Sequence, residues 1–389
     1  MTAHRSIVFG VLLILLAWGQ WGCASSGKSY RPRWTGDAVA DGLHAITNAP
    51  PKDRVLWQMK TARAAMFEGK NELAAELLDD ALVSIEGRFG PDKEARKSRR
   101  LFQDESKKFF IGEPYERVMA YYYRGILYWM EGDRGNARAC FRSAQVHDSD
   151  SEQNEYRNDY VLMDYLDGLI SIKLSASGDS NYKRARESAR LAIPPPYSAD
   201  DNVMIFADYG QGPTKFAAGE YGERLHIRAG HSNAREIRIT TDGAGIHLGP
   251  YDDLSYQAST RGGRVMDHIL ANQAVFKSTT DTAGDAALLS GIILAQGRKT
   301  QDVGLGLVAA GLVSKIFSAA ASPQADTRDW DNLPDYLTFG TLTLAPGNHA
   351  LTIEYLDGSG NVIPGMTRTE NVVVNPLPSD TVLYFSDTK

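Results

Sequence analysis

The sequence predicts an α+β protein: a helical half, then a strand-rich half carrying an apolar helical insertion. Between Lys52 and Ile193 the segments are long, rich in Ala, Leu, Glu, Arg and Lys, and broken by short Gly/Asn/Asp turns. Pro194-Pro195-Pro196 stops that pattern, because proline lacks the N–H a helix needs. Beyond it come NVMIFADYG, ERLHIRAG, REIRITTDG, YLTFGTLTL, HALTIEYLD, ENVVVNP and TVLYFSD, which carry the alternation and branched or aromatic residues of half-buried strands. The 389 residues, 43% of them hydrophobic, are enough for about two or three domains with real cores. A formal net charge of -6 argues against a general basic surface, and no nucleic-acid partner is expected.

The elements follow in chain order. Residues 1–22 read as a lipoprotein signal peptide: His4 and Arg5 form a short polar and basic start, and Ile7 to Ala17 an apolar run too short to span a bilayer comfortably. Small Gly22 stands directly before Cys23, whose thiol is then the lipidation site, with palmitate as the acyl group. Gln20 and bulky Trp21 depart from the usual pattern, and ordinary cleaved secretion or an uncleaved anchor are the other readings. Ala24, where an aspartate commonly retains lipoproteins in the inner membrane, points to a lipid-anchored place in the outer membrane facing the periplasm. Cys140 would be the one thiol left, so packing and not cross-links must hold the mature chain together. Residues 23–50, rich in Ser, Gly, Lys, Arg and Pro, read as a flexible tether.

Residues 51–193 read as an irregular array of six or seven helices. In RVMAYYYRGILYWMEGDRGNARACFRSAQVHDSD, Gly125 and Ala137 are small where two helices cross closely. Tyr128 and Phe141 fill the space beside them, and Gly132-Asp133 makes the turn. Two weaker units align on their turn glycines: Gly69 with Ala74, Leu78 and Ala81, and Gly178 with Tyr182, Ala185, Ala189 and Ala192. A charged helix over about Asp92 to Phe109 separates the first two. The small and aromatic positions resemble the tetratricopeptide pattern, without its usual terminal proline.

Residues 194–389 read as a small antiparallel sandwich or sheet, with Ala345-Pro346-Gly347-Asn348 and Asp357-Gly358-Ser359-Gly360-Asn361 as hairpin turns. The helical insertion falls at about 264–321. Its two most apolar segments lie within 284–321 and form a hairpin buried on the sheet, a docking surface or a membrane insertion.

Ala325-Asp326-Thr327-Arg328-Asp329-Trp330-Asp331-Asn332-Leu333-Pro334 follows the insertion, and NVMIFADYGQGPTKF places Asp208, Gly210, Pro213 and Lys215 after a strand. With the helical half and the lipoprotein signal, these stretches resemble a family of uncharacterised bacterial tetratricopeptide-like outer-membrane lipoproteins. The resemblance implies architecture and envelope location, and marks Asp326, Arg328, Trp330 and Pro334 as a recurrent signature. Physically, Arg328 can pair with Asp326 or with a carboxylate across the domain, and Trp330 can anchor the segment on the apolar hairpin. A ligand-binding role for Arg328 and Trp330 is the alternative.

The search for catalytic chemistry finds no motif. Gly304–Gly311 lacks a Walker-type lysine, Ser290 lacks the glycine of a nucleophile elbow, and neither HExxH nor CxxC occurs. His226, His231 and His247 match no strong metal spacing and read as polar-face residues. Glu113, Glu116 and Glu131 beside the aromatic helix read as helix-solvating acids. No cofactor, no metal and no catalytic residue are therefore expected. Tyr121, Tyr122 and Tyr123 have too many neighbouring rings for one core stripe, so Tyr122 or Tyr123 should lie at a binding groove or against the strand half. The reading that follows is a non-catalytic adaptor or assembly lipoprotein whose partner is an envelope protein. A peptidoglycan- or polysaccharide-associated module or enzyme, and a subunit of a secretion or export complex, are its rivals.

Overall fold

The computed structural model describes residues 30–89, 109–149, 158–219, 224–241, 244–261 and 325–387. Cys23, the segment 90–108 and the apolar insertion, with Ser290 and Gly304–Gly311, lie outside the described residues. The described residues from Arg33 onward form one compact unit.

Among the described residues, seven α-helices open this unit: α1 (Ala38–Asn48), α2 (Arg54–Phe67), α3 (Asn71–Phe89), α4 (Pro114–Met130), α5 (Arg134–Asp148), α6 (Val161–Lys173) and α7 (Asp179–Ser188). Local chemistry starts them where expected. Pro114 occupies the first turn of α4, where its missing N–H costs nothing, and the Glu116 carboxylate accepts the Glu113 N–H at 2.7 Å. Asp133 caps α5 by accepting the Asn136 N–H at 2.9 Å. The α4–α5 hairpin is as tight as its small residues imply. A Cβ on Gly125 would sit 2.9 Å from the Phe141 ring, closer than two carbons tolerate.

Three expectations need correction here. Residues 38–48 are not tether but helix α1, because Asp37 caps it and Val39, Gly42 and Ala45 bury one face. The third repeat unit is shorter than expected, since α7 ends at Ser188 and Ala189 is already extended. Phe109, the expected end of a charged helix, is not helical.

The strands are β1 (Val203–Tyr209), β2 (Thr214–Ala218), β3 (Arg224–Arg228), β4 (Glu236–Thr241), β5 (Ala244–Leu248), β6 (Asp252–Asp253), β7 (Tyr336–Leu342), β8 (Gly347–Leu356), β9 (Val362–Val374) and β10 (Thr381–Ser386). One sheet runs β10-β1-β7-β6, a second β5-β4-β8-β9, and β2-β3 forms a separate ribbon. Among the described residues the strand half is an open sheet region with an intervening helix, α8 (Leu254–Arg261), so the fold is a mixed α+β one. It is not wholly antiparallel: β10 returns parallel to β1, in register Val203 to Thr381. A parallel pair needs a long crossover, which no local turn signal reveals. β2 and β5 are strands that the sequence reading did not pick out, and β9 begins eight residues before the expected Glu370.

β1 decides the layering. Every one of its residues is buried. Met204 and Phe206 join the core formed with the helices, whereas Val203, Ile205, Ala207 and Tyr209 pack with Ile237, Ile239, Leu351 and Ile353 of the second sheet. Alternate residues of one strand therefore serve two cores, as the period of two requires. Helices, first sheet and second sheet form three layers, and the core runs across the change from helix to strand at Pro194–Pro196. Trp129 lies 5.9 Å from Phe206 and 6.5 Å from Phe339, which are themselves 4.8 Å apart. Each buried ring contributes roughly 1.5–3 kcal/mol, so helices and sheet stabilise one another. Polar ties reinforce them. Asp252 of β6 accepts the Val161 and Leu162 N–H groups at 2.8 and 2.9 Å, capping α6 from the sheet.

Among the described residues, no helix is long and apolar enough to cross a membrane.

Candidate functional site

Two stretches singled out in the sequence, ADTRDWDNLP and DYGQGPTK, meet on the helical layer and bury their charges there, apart from exposed Asp331. The deeper cluster centres on Asp208, the penultimate residue of β1. It accepts the Tyr123 and Tyr384 hydroxyls at 2.8 and 2.7 Å and faces Arg63 of α2 at 3.2 Å. The Arg63 and Asp208 side chains are both 0% exposed. The Arg63 guanidinium also donates to the Tyr123 hydroxyl at 3.1 Å and to Ser386 Oγ at 3.1 Å. One carboxylate thus joins α2, α4, β1 and β10. Isolated burial of either charge would cost several kcal/mol, so each requires the other.

A second cluster lies over the start of α4. Lys215 of β2 and Glu116 are 2% and 0% exposed and meet at 2.5 Å. Glu116 also accepts the Trp330 N–H at 2.9 Å, while Lys215 donates to the Arg328 carbonyl at 3.0 Å. The phenylalanine and tyrosine faces of Phe110 and Tyr115 lie 5.5 and 5.7 Å from the ammonium. Burial opposes the Lys215 charge, but Glu116, Glu113 and Asp329 outweigh it and raise its pKa. Asp329 accepts the Lys215 backbone N–H at 3.1 Å. Burial, then the charge of Glu116, pushes the Asp329 carboxyl up to about 6, with Lys215 pulling the other way.

Arg328 fastens the other end of the segment. Its guanidinium grips Asp326 through two nitrogens at 2.8 and 2.5 Å and reaches Asp53 at 2.8 Å. Both carboxylates considered in the sequence, the local and the distant one, are thus engaged. Trp330 is buried with its ring 6.0 Å from Tyr123; its indole N–H has no partner. Among the described residues it packs in the core shared with the helices, and the apolar hairpin expected to carry it lies outside them.

The three tyrosines separate. Tyr122 reaches Phe206 of β1 at 6.1 Å, and Tyr123 enters the Asp208 cluster. Tyr121 points elsewhere, donating to Glu86 at 2.7 Å and stacking on His147 at 5.2 Å. Burial and the bond to Glu86 raise its pKa. The three acids also separate, and one corrects the reading of them as solvated. Glu131 pairs with Arg124 at 3.0 Å, Glu113 opens α4, and Glu116 is buried because Lys215 comes from a distant strand to meet it. The charged residues of α2 and the C-terminus had no motif to announce them. Arg63 stands out only as a cation with Ala and Met on its C-terminal side in α2. Asp380 gathers the Trp129 indole, Arg134 and Lys173 at 2.7, 2.8 and 3.0 Å, which with burial opposing lower its pKa.

Beside these clusters an open polar groove of about 550 Å³ is lined by Gln211, Thr214, Arg228, His231, Asp331 and Asn332, with Leu333 and backbone between them. Its floor is a backbone crossing. Gln211 and His231 exchange N–H and carbonyl bonds at 2.9 Å, and the Gly212 N–H donates to the Leu333 carbonyl at 2.8 Å. A Cβ on Gly230 would lie 2.1 Å from the Gln211 carbonyl oxygen, so only glycine fits. Arg228 and His231 are exposed; Asp331 pairs with Lys60 at 2.9 Å. The histidines do not converge: His226 stacks on Phe216 at 5.4 Å and His247 contacts Glu236 at 2.9 Å. Among the described residues no group of three potential metal ligands forms.

The chain matches no protein-family model, no curated protein and no solved structure.

Proposed function

We propose that this protein is a non-catalytic adaptor of the bacterial envelope, anchored by lipid on Cys23 to the periplasmic face of the outer membrane and binding an envelope protein. The observation that carries this reading is the groove at Gln211, Arg228, His231 and Asn332. It is polar, open and large enough for several residues of an extended segment, on a floor made rigid by glycine-mediated backbone crossings. The Lys215–Glu116, Arg328–Asp326 and Arg63–Asp208 charges are paired inward, in a pattern suited to fastening layers together.

The finer architecture belongs to the same proposal. The α2–α3, α4–α5 and α6–α7 hairpins act as tetratricopeptide-like units, with Gly125 against Phe141 as the tightest crossing. The two four-stranded sheets act as a β-sandwich behind them. With the leader and the signature stretches, this fits the resemblance to tetratricopeptide-like outer-membrane lipoproteins.

A photo-crosslinking residue placed at Arg228 or His231 in cells tests the reading. A discrete crosslinked envelope protein is expected, and loss of the same product with Cys23→Ser, which would release the chain from the membrane. Equal background from the groove positions and from Asp80, an exposed site on α3, would overturn it.

A further inference from the structure

We propose that Trp34 seats the folded unit on the phospholipid surface, its indole lying at the level of the lipid headgroups. The inference rests on the lipid-anchor reading. Trp34 is 79% exposed, more than any other large apolar side chain among the described residues. Most apolar body and one N–H donor suit the indole to the bilayer interface better than to water or hydrocarbon.

Its place in the chain points to the same surface. Ten residues lie between Cys23 and Trp34, which keeps any lipid on Cys23 within roughly 40 Å of extended chain from the indole. Trp34 also stands at the very start of the compact unit, which opens at Arg33. The Arg33 side chain is 61% exposed, and the carboxylate it meets among the described residues, Asp41, is 3.9 Å away, leaving it available to anionic phosphates.

Trp34 is moreover held in position. The Thr35 N–H donates to Asp41 Oδ2 at 2.5 Å and the Thr35 hydroxyl to Oδ1 at 2.8 Å. Those bonds, the backbone one first, hold the Asp41 carboxyl below its ordinary value against the effect of burial. Asp41 lies on α1, whose Val39 and Ala45 are in the core. The indole therefore projects from a pinned backbone, and placing it in headgroups requires no refolding.

The test uses the full chain as processed in a lipoprotein-processing bacterium, purified and placed in phosphatidylethanolamine–phosphatidylglycerol vesicles with or without brominated acyl chains, which quench nearby indoles. Four of the six tryptophans follow Cys23, and Trp129 and Trp330 are buried. Bromination is expected to remove about a quarter of the emission of the parent, and Trp34→Phe to abolish most of that loss. Equal quenching of parent and Trp34→Phe, or none in either, would overturn the proposal; the latter is what coverage of Trp34 by a protein partner predicts. The intact mass reports separately on acylation at Cys23. An acylated chain with unquenched Trp34 sinks the seat alone, and an unacylated chain sinks the anchor.

Discussion

Replacing Asp208 with alanine is expected to be among the most damaging single changes in the described residues, and its cost can be worked from the cluster. Asp208 and Arg63 are fully buried, so the variant leaves a guanidinium without its counter-charge. Breaking such a pair from one side costs roughly 3–5 kcal/mol. The Tyr123 and Tyr384 hydroxyls also lose their acceptor, adding about 1 kcal/mol between them after partial rearrangement. The expected total is about 4–6 kcal/mol. Urea unfolding reads it as a lower midpoint at unchanged slope. Asp80→Ala is the control: that carboxylate is exposed, 3.9 Å from Arg54 and only a long 3.4 Å acceptor for Gln58, so its loss should cost under about 1 kcal/mol. The double change Arg63→Met with Asp208→Leu should recover most of the deficit, because it removes both charges. Were Asp208→Ala no worse than Asp80→Ala, the idea that this pair ties helices to sheet would be wrong.

Three further outcomes follow from the same geometry. Tyr123→Phe should destabilise by about 1–2 kcal/mol, whereas Tyr122→Phe should be neutral or slightly stabilising, since the buried Tyr122 hydroxyl has no partner; thermal unfolding compares them. Gly230→Ala should cost more than about 3 kcal/mol or abolish soluble expression, because its Cβ would meet the Gln211 carbonyl, and an alanine variant with parental stability would refute that crossing. Burial raises the Asp387 carboxyl to about 6, above its unfolded value, despite the Gly210 N–H that donates to it at 2.9 Å. A raised carboxyl favours the folded state while protonated, so its contribution is complete below about pH 4 and is lost as pH rises through about 6. Asp387→Asn should therefore gain about 1 kcal/mol over the parent at pH 8 and show less loss between pH 4 and 6. An unchanged pH profile would remove Asp387 as the cause.

The clusters show why some of this was legible in advance. Gly125 with Phe141, the turn at Gly132 and the alternation of Ile237 and Ile239 act within one hairpin or strand, and spacing exposes such local relations. Glu116 is different. On its own helix it satisfies a capping pattern, and it reads as solvated until Lys215, ninety-nine residues on, is brought to 2.5 Å. Arg63 is likewise an ordinary helix residue until Asp208 and Ser386 converge on it. Helix α1, AVADGLHAITN, follows a run rich in Ser, Gly, Lys and Arg that hides it, and it owes its burial to α2, where Gly42 lies against Thr61.

Read alone, the sequence determined the helical half, the proline stop and most strands, because propensity, periodicity and turn chemistry act over a few residues. The tertiary structure decided what chain distance hides. It set β1 between two cores, made β10 its parallel neighbour, and turned Asp208, Lys215 and Arg328 inward onto partners. The physical reason is desolvation. A charge may be written anywhere on a helix or strand, but its burial depends on a counter-charge that only folding delivers.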